Sequence, residues 1–239
     1  MRFTVLAHKI SNRWKKIRLQ PIHVFCFHHV AAVFDASSMN IGDWMSADKF
    51  KSKVMEMKQN GIEFINLSQA YHHIYKDLFR SKRYVVITFD DGYASLKEIL
   101  PWLAVQHIPV VLFLNGKYID GHSYRKNPKE QYLTKEELFC LTTPLIEIGS
   151  HGWEHTDASN MGENEFADYI NRNVQLLKRH PRFVPFHAYT WGRHTEKTDE
   201  YLKLMKITPV YMDGMKNYND SCVIHREIFE ETSKKQANI

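Results

Sequence analysis

The run from Tyr84 to Tyr93 constrains the fold of this chain more than any other segment. Its first six residues, Tyr-Val-Val-Ile-Thr-Phe, are β-branched or aromatic, and they lead directly into Asp90, Asp91 and Gly92. A strand without polar alternation is typical of a parallel sheet that is covered on both faces. Functional groups in such folds lie past the carboxyl ends of the strands. The run therefore predicts a buried strand that carries two carboxylates to the functional end of a sheet.

Asp90, Asp91 and Gly92 also have a simpler interpretation as a turn. Asp-Gly is common in loops, and aspartate is a good helix cap. Both interpretations stay open on this segment alone, so the choice depends on partners elsewhere in the chain.

Strand-like and helix-like segments alternate along the chain. Apolar runs predict strands at 22–27, 63–66, 84–89, 110–114, 145–148, 183–186, 209–212 and 222–225. Helical periodicity and caps predict helices at 46–60, 68–79, 94–107, 164–180 and 196–206, with another beginning at Thr134, and Pro101 is expected to kink or split the third. This alternation favours an α/β fold, a (β/α) barrel of about seven strands.

The charge of the chain is uneven. Six of the 32 basic residues precede Asp35, the first acidic residue, and the remaining 26 nearly balance the 27 acidic residues. We therefore predict a basic amphipathic arm at 1–20, a single barrel domain at 21–239, and no nucleic-acid partner. The arm lacks the uninterrupted apolar core of a signal peptide. Peripheral contact with a membrane surface and packing on the barrel both stay open for it.

Three cysteines, Cys26, Cys140 and Cys222, are scattered without the spacing of a metal or disulfide motif. An odd number at such spacing indicates reduced thiols and predicts a cytoplasmic location.

A second polar segment follows the strand predicted at 145–148. His151 and His155 are four residues apart, so a helical turn between them would point both imidazoles the same way. Two imidazoles and one carboxylate make up a three-ligand zinc site. One of Asp90 and Asp91 would then bind the metal, and the other would be free to act as a general base toward a water that the metal acidifies.

These two segments together resemble the first two motifs of the polysaccharide deacetylases, the NodB-homology or carbohydrate esterase family 4 domain. The motifs are Thr-Phe-Asp-Asp-Gly at 88–92 and Ser-His-Gly-Trp-Glu-His at 150–155. The resemblance implies a distorted (β/α) barrel that removes acetyl groups from N-acetylated sugars with a divalent metal, here expected to be zinc. It also implies that Asp90 is the catalytic base and that Asp91, His151 and His155 bind the metal.

A third family motif corresponds in part to His-Ala-Tyr-Thr-Trp-Gly at 187–192. By this resemblance, Tyr189 and Trp191 contact substrate, and the backbone N–H of Trp191 helps to hold the oxyanion. The arginine that the family usually places beside the base is missing from this motif, which leaves the group that tunes Asp90 unidentified.

The catalytic acid has two candidates. His28 ends a strand that resembles the N-terminal Tyr-His strand of one family subgroup, with Phe27 in place of the tyrosine. His225 is a partial match to a C-terminal family motif, although Ile224-His225-Arg226 fits the Ile/Leu-Pro-Arg end of the subgroup's last strand equally well. We predict that His28 is the acid.

The resulting hypothesis is a metal-dependent N-deacetylase in the assembly of a surface polysaccharide or glycolipid. Its substrate would be an N-acetylated sugar in a glycan, a nucleotide-sugar or a lipid-linked sugar. Two alternatives stay open: a metal amidase or deformylase acting on a lipid-linked amino sugar, and a non-catalytic sugar-binding relative.

Overall fold

The computed structural model describes residues 20–35, 43–77, 79–119, 131–218 and 222–229. The arm predicted at 1–20 lies outside these ranges except for Gln20, so its role stays a prediction. Within the described ranges, no helix is both long enough and apolar enough to cross a membrane.

Ten strands occur in the described part of the chain: β1 (Ile22–Phe27), β2 (His29–Ala31), β3 (Trp44–Ser46), β4 (Glu63–Phe64), β5 (Tyr84–Asp91), β6 (Val110–Leu114), β7 (Ile146–Ser150), β8 (Phe183–Ala188), β9 (Thr208–Met212) and β10 (Ile224–Ile228). The strands β5 to β10 follow one another in the sheet with parallel pairing. β1 pairs in parallel with both β5 and β10, which closes the ring. The predicted seven-stranded barrel is confirmed.

The barrel is distorted in two places. β4 pairs with the first two residues of β5, whereas β6 pairs with residues further along that strand. The register between β7 and β8 shifts between Ile148 and Ser150. Pro185 lies opposite this shift, where its missing N–H removes a ladder donor. The strand predicted at 183–186 nevertheless continues to Ala188.

Seven α-helices lie in the described ranges: α1 (Ala47–Gln59), α2 (Leu67–Lys76), α3 (Leu96–Val105), α4 (Gly116–Ile119), α5 (Lys135–Phe139), α6 (Glu163–Leu177) and α7 (Glu196–Leu204). Local side chains define where several of them begin. The Ser46 hydroxyl accepts a hydrogen bond from the Lys49 N–H at the start of α1. The capping box predicted between Thr134 and Glu137 is present at the start of α5.

Pro101 does not split α3, contrary to the expectation from its position. The helix runs unbroken from Leu96 to Val105. Both Pro101 and Lys97, the residue four positions earlier, lie on the exposed face. The carbonyl that loses its hydrogen-bond donor is therefore on the side of the helix that faces water, where the loss costs least.

Alternating strand residues divide the core into two apolar layers. One layer, with Ile87 and Phe89 of β5, packs against α1 and α3. The other layer, with Val86 of β5 and Val111 of β6, fills the barrel and packs against α2. Because both faces of these strands are covered, β1, β5, β6 and β7 are buried along their whole length.

Helix α2 covers the amino-terminal end of the barrel. Its buried residues Leu67, Ala70 and Ile74 belong to the interior layer. A carboxylate oxygen of Glu147, on β7, accepts hydrogen bonds from the Leu67 and Ser68 N–H groups at 2.9 and 3.2 Å. Negative charge near the amino terminus of a helix is stabilising. With this end covered, a functional site has room at the opposite end, where the strands finish.

Candidate active site

Asp90 and Asp91 end β5, and both are buried. Consecutive side chains on a regular strand point to opposite faces. Asp91 departs from this rule because its φ is +70°, a left-handed conformation that aspartate tolerates better than most residues. Gly92 follows with φ +80°. This turn brings both carboxylates to the same neighbour: Asp90 Oδ2 and Asp91 Oδ1 each lie 3.7 Å from Nε2 of His151.

His151 and His155 converge on Asp91 without a helical turn between them. The segment after β7 is an irregular bend in which Gly152 has φ +83°. A Cβ atom at Gly152 would come within 1.9 Å of the Tyr169 hydroxyl, so only glycine fits. The bend places His155 Nε2 3.5 Å from Asp91 Oδ1, with the two histidine rings 5.4 Å apart.

The surroundings of His151 fix which of its nitrogens faces the carboxylates. Nδ1 lies 2.7 Å from the Ala188 carbonyl, to which it can only donate. Burial lowers the pKa of His151, and the charges of Asp90 and Asp91 only partly oppose this. The Nε2 atom of the neutral ring therefore presents a lone pair to two carboxylates.

These donor atoms fit a divalent metal. One carboxylate oxygen and two imidazole nitrogens, from Asp91, His151 and His155, lie within 4.8 Å of one another. A cation among them relieves the repulsion between the His151 lone pair and the carboxylates. The Nδ1–H bond to a backbone carbonyl is the outer hydrogen bond that metal-binding histidines usually make. The set of two nitrogens and one oxygen suits zinc.

Arg226 is the group beside Asp90 that sequence reasoning missed. Its guanidinium donates to both Asp90 oxygens, at 2.6 and 2.9 Å, and to the Thr88 hydroxyl at 3.1 Å. Burial raises the pKa of Asp90, but the charges of Arg226 and His151 and the hydrogen bonds from Arg226 outweigh it and lower the pKa to about 2. Asp90 is thus held ionised and in one orientation.

The sequence feature that could have identified Arg226 is the alternation of inward-facing and outward-facing residues along β10. Ile224 and Arg226 are buried in the barrel, while His225 between them faces outward and its Nδ1 lies 2.7 Å from Asp213 Oδ2. The arginine missing from the third motif is therefore supplied by the last strand, and His225 points away from Asp90.

His28 lies on the same side as Asp90. A ring nitrogen of His28, the Cys26 sulfur and an Asp90 oxygen lie within 4.8 Å of one another. The His28 side chain is partly exposed, so it can reach both Asp90 and a molecule that enters from solvent. Of the two histidines considered for the catalytic acid, the structure brings only His28 to the carboxylate pair.

The third motif places its two aromatic residues differently. The Trp191 side chain is 59% exposed, and its ring meets the His155 ring edge-on at 4.6 Å. Tyr189 is only 1% exposed, and its hydroxyl donates to Asp199 at 2.9 Å. A substrate-contacting role for the Tyr189 side chain, as the sequence predicts, does not fit this burial. Trp191 lies at the rim of the site.

The main chain at Trp191 is also distinctive. Its φ is +53°, and its N–H makes no hydrogen bond within the described part of the chain. The hydroxyl of the preceding Thr190 donates to the Thr156 carbonyl, which ties this loop to the segment that carries His155.

Comparisons with known proteins agree with this fold. Residues 79–210, which include both aspartates and both histidines, match the family model described as polysaccharide deacetylase. A Bacillus subtilis (strain 168) protein, YxkH, whose name places it among the polysaccharide deacetylases, is 24% identical over 155 residues. That alignment covers 63% of this chain and 52% of YxkH, so the chain spans about half the length of this curated relative.

Three solved structures illustrate the shared fold. IcaB from Ammonifex degensii superposes with a TM-score of 0.75 at 21% identity, over 92% of this chain and 97% of that one. A de-N-acetylase from Aggregatibacter actinomycetemcomitans gives 0.75 at 17% identity, over 92% and 99%. The Streptococcus pyogenes deacetylase PplD gives 0.75 at 15% identity, over 89% and 93%. With more than half of its length matched by the family model, the chain belongs to the polysaccharide deacetylase family.

Proposed function

We propose that this protein hydrolyses the N-acetyl group of an amino sugar in a metal-dependent reaction. The observation that carries the proposal is the division of the carboxylate pair. Asp90 is held by Arg226, while Asp91 faces the two histidines. A turn or a helix cap would need only one carboxylate, whereas hydrolysis at a metal needs a ligand and a base.

Asp91, His151 and His155 would hold the metal, with zinc as the expected ion. A divalent ion at this position would polarise the acetyl carbonyl and acidify the attacking water. The chain's own contribution is the geometry: the left-handed turn at Asp91 and the glycine bend at Gly152 bring the three donors together.

Asp90 would take the proton from the attacking water. Arg226 keeps Asp90 ionised and fixes its orientation, at the cost of making it a weak base. A weak base is sufficient when the water is itself acidified, because proton transfer depends on the difference between the two pKa values. The bidentate contact with Arg226 also fixes the direction from which Asp90 takes the proton.

His28 and Trp191 would complete the reaction. His28 lies beside Asp90 and is partly exposed, which supports a role in protonating the departing amine. The Trp191 N–H, which makes no hydrogen bond within the described residues, would donate to the oxyanion of the tetrahedral intermediate. The exposed Trp191 ring offers a surface on which a sugar could pack.

Family membership supports an N-acetylated glycan as the substrate class, and one structural neighbour is named as a de-N-acetylase. We extend this to a substrate in the assembly of a surface polysaccharide or glycolipid, in polymeric, nucleotide-linked or lipid-linked form.

An assay of released acid across matched substrates tests this function. The panel pairs N-acetylated and N-formylated sugars in polymeric, nucleotide-linked and lipid-linked forms, with metal-free and zinc-restored protein. We expect acetate release only after zinc is restored. Preferential formate release would make the protein a deformylase instead. Protein that neither contains nor takes up a divalent ion would support a non-catalytic sugar-binding relative.

A further inference from the structure

A second cluster of side chains that could hold a metal ion overlaps the site and includes Asp90 and His28. Cys26, His28 and Asp90 each offer a ligand atom, and these atoms lie within 4.8 Å of one another. This cluster shares no residue with the group formed by Asp91, His151 and His155. The Cys26 side chain faces the barrel interior beside Asp90 and is 3% exposed.

The end of β1 brings Cys26 and His28 to one place. Cys26 lies on β1 with its side chain beside Asp90, and His28 directly follows Phe27, the last residue of that strand. Phe27 itself packs in the layer outside the barrel. Tetrahedral zinc, with ligand bonds of 2.0 to 2.3 Å, holds its donor atoms roughly 3.3 to 3.8 Å apart. Side-chain rotations that close the cluster by about 1 Å would meet this geometry.

We propose that Cys26, His28 and Asp90 form a second, weaker site for a thiophilic divalent cation such as Zn²⁺ or Cd²⁺, and that its occupation inhibits the enzyme. Sulfur, imidazole and carboxylate donors together favour these ions over Mg²⁺ or Mn²⁺. The claim of inhibition rests on the proposed function, in which Asp90 is the base and His28 the acid. The claim that the site binds a cation is independent of that function.

The electrostatics explain why this site is the weaker of the two. Binding replaces the Cys26 thiol proton with the metal, and that proton leaves to solvent. Cys26 is 3% exposed, so the thiol has to lose this proton in a place from which solvent is nearly excluded. The Arg226 guanidinium, bonded to both Asp90 oxygens, also repels a nearby cation. The second site therefore fills only when metal exceeds one equivalent.

Occupation would stop catalysis without displacing the first metal. A cation bound to Asp90 and His28 occupies the lone pairs on which these residues would carry protons. Asp90 then cannot accept the proton of the water, and His28 has no proton to give to the amine. Inhibition should therefore appear with excess Zn²⁺ or Cd²⁺ and be absent with excess Mn²⁺.

Titration of the full-length, metal-free chain with Cd²⁺ tests the site directly. The exposed thiols Cys140 and Cys222 are first replaced by serine, and this double variant is the control. We expect two equivalents to bind, the second with a thiolate-to-cadmium charge-transfer band in the ultraviolet. Adding Cys26→Ser should remove the band and leave one equivalent. No band in the control, or a band that survives Cys26→Ser, would overturn the proposal.

A second variant covers the case in which Cys26→Ser does not fold. His28→Gln changes a partly exposed residue, and it should weaken binding of the second equivalent by more than about tenfold. Unchanged affinity would overturn the site. In acetate release, the control should lose activity in excess Zn²⁺ while Cys26→Ser resists. If no substrate is hydrolysed under any condition, the proposed function fails, and the cadmium titration still decides whether the site exists.

Discussion

At the scale of single residues, the site depends on backbone conformations that few residues tolerate. Asp91 and Gly152 both adopt positive φ, and the turns at these residues bring Asp91 and His155 close to His151. Arg226 then distinguishes Asp90 from Asp91, because its bidentate contact is with Asp90. Two adjacent, chemically identical carboxylates acquire different environments in this way.

Arg226→Lys should lower kcat on the order of 100-fold while changing KM and metal content little. Lysine keeps the charge but loses the planar fork that orients Asp90. Steady-state kinetics and metal analysis check this. Arg172→Lys, at a half-exposed arginine over the Trp153 ring, is the matched control and should keep wild-type kinetics. An unchanged kcat in Arg226→Lys would show that the two-pronged contact does not position Asp90.

Gly152→Ala should destabilise the fold and abolish tight metal binding. The added methyl group would overlap the Tyr169 hydroxyl and occupy a left-handed conformation. The conformational part alone costs about 1 to 2 kcal/mol. Gly61→Ala isolates that part, since Gly61 also has positive φ but has no atom within 4 Å of the new Cβ. Equal losses of unfolding free energy in both variants, with metal retained, would contradict the steric argument.

At the scale of elements, one end of the barrel contributes to stability and the other end carries the candidate site. Helix α2 covers the amino-terminal end, where Glu147 binds its first N–H groups. The ends of β5 and β7 carry the metal-ligand candidates at the other end, and β10 supplies Arg226 from within the barrel. Stability at the covered end and activity at the open end should therefore respond to different substitutions.

Glu147→Ala should lower the free energy of unfolding by about 2 kcal/mol, because it leaves two helix N–H groups without their acceptor. Metal affinity and kcat should stay at wild-type values. Chemical denaturation and the acetate assay measure the two effects. The control is Glu163→Ala, which removes an exposed ion pair with Lys197 and should cost less than about 1 kcal/mol. A loss of kcat in folded Glu147→Ala protein would argue against this separation.

At the scale of the whole molecule, the sequence was sufficient for the barrel and insufficient for parts of the site. The barrel strands and the longer helices followed from apolar runs, caps and periodicity, because these local signals agree with the final fold, whereas β2, β3 and α4 were not predicted. Pro101 does not split α3, and the segment from His151 to His155 does not form a helical turn. The first depended on which helix face is exposed, and the second on how Tyr169 crowds Gly152.

Arg226 shows why partners across the barrel were the hardest to predict. It lies 136 positions from Asp90 in the chain, and only closure of the ring through β1 brings them together. The burial of Tyr189 likewise depends on Asp199 and α7, which no local pattern reveals.

Acid should destabilise the whole molecule through His187. Burial, then the charges of His151 and Arg226, hold the pKa of His187 well below 6.5. The folded state keeps this ring neutral while the unfolded chain binds a proton, so stability falls as pH drops below about 6.5, with a slope of about 1.4 kcal/mol per pH unit. His187→Gln should reduce that slope, as measured by urea unfolding between pH 7 and about pH 5. The exposed His72→Gln should not, and an equal slope in all three proteins would refute the assignment.

The most direct test of the account compares the metal content and acetate release of Asp90→Asn and Asp91→Asn. If Asp91 is a ligand and Asp90 the base, Asp91→Asn loses its tightly bound metal. Asp90→Asn keeps one equivalent, and its acetate release falls by about 10² to 10⁴-fold. Loss of the tightly bound metal in Asp90→Asn, or full activity of Asp90→Asn with metal bound, would contradict the division of roles between the two carboxylates.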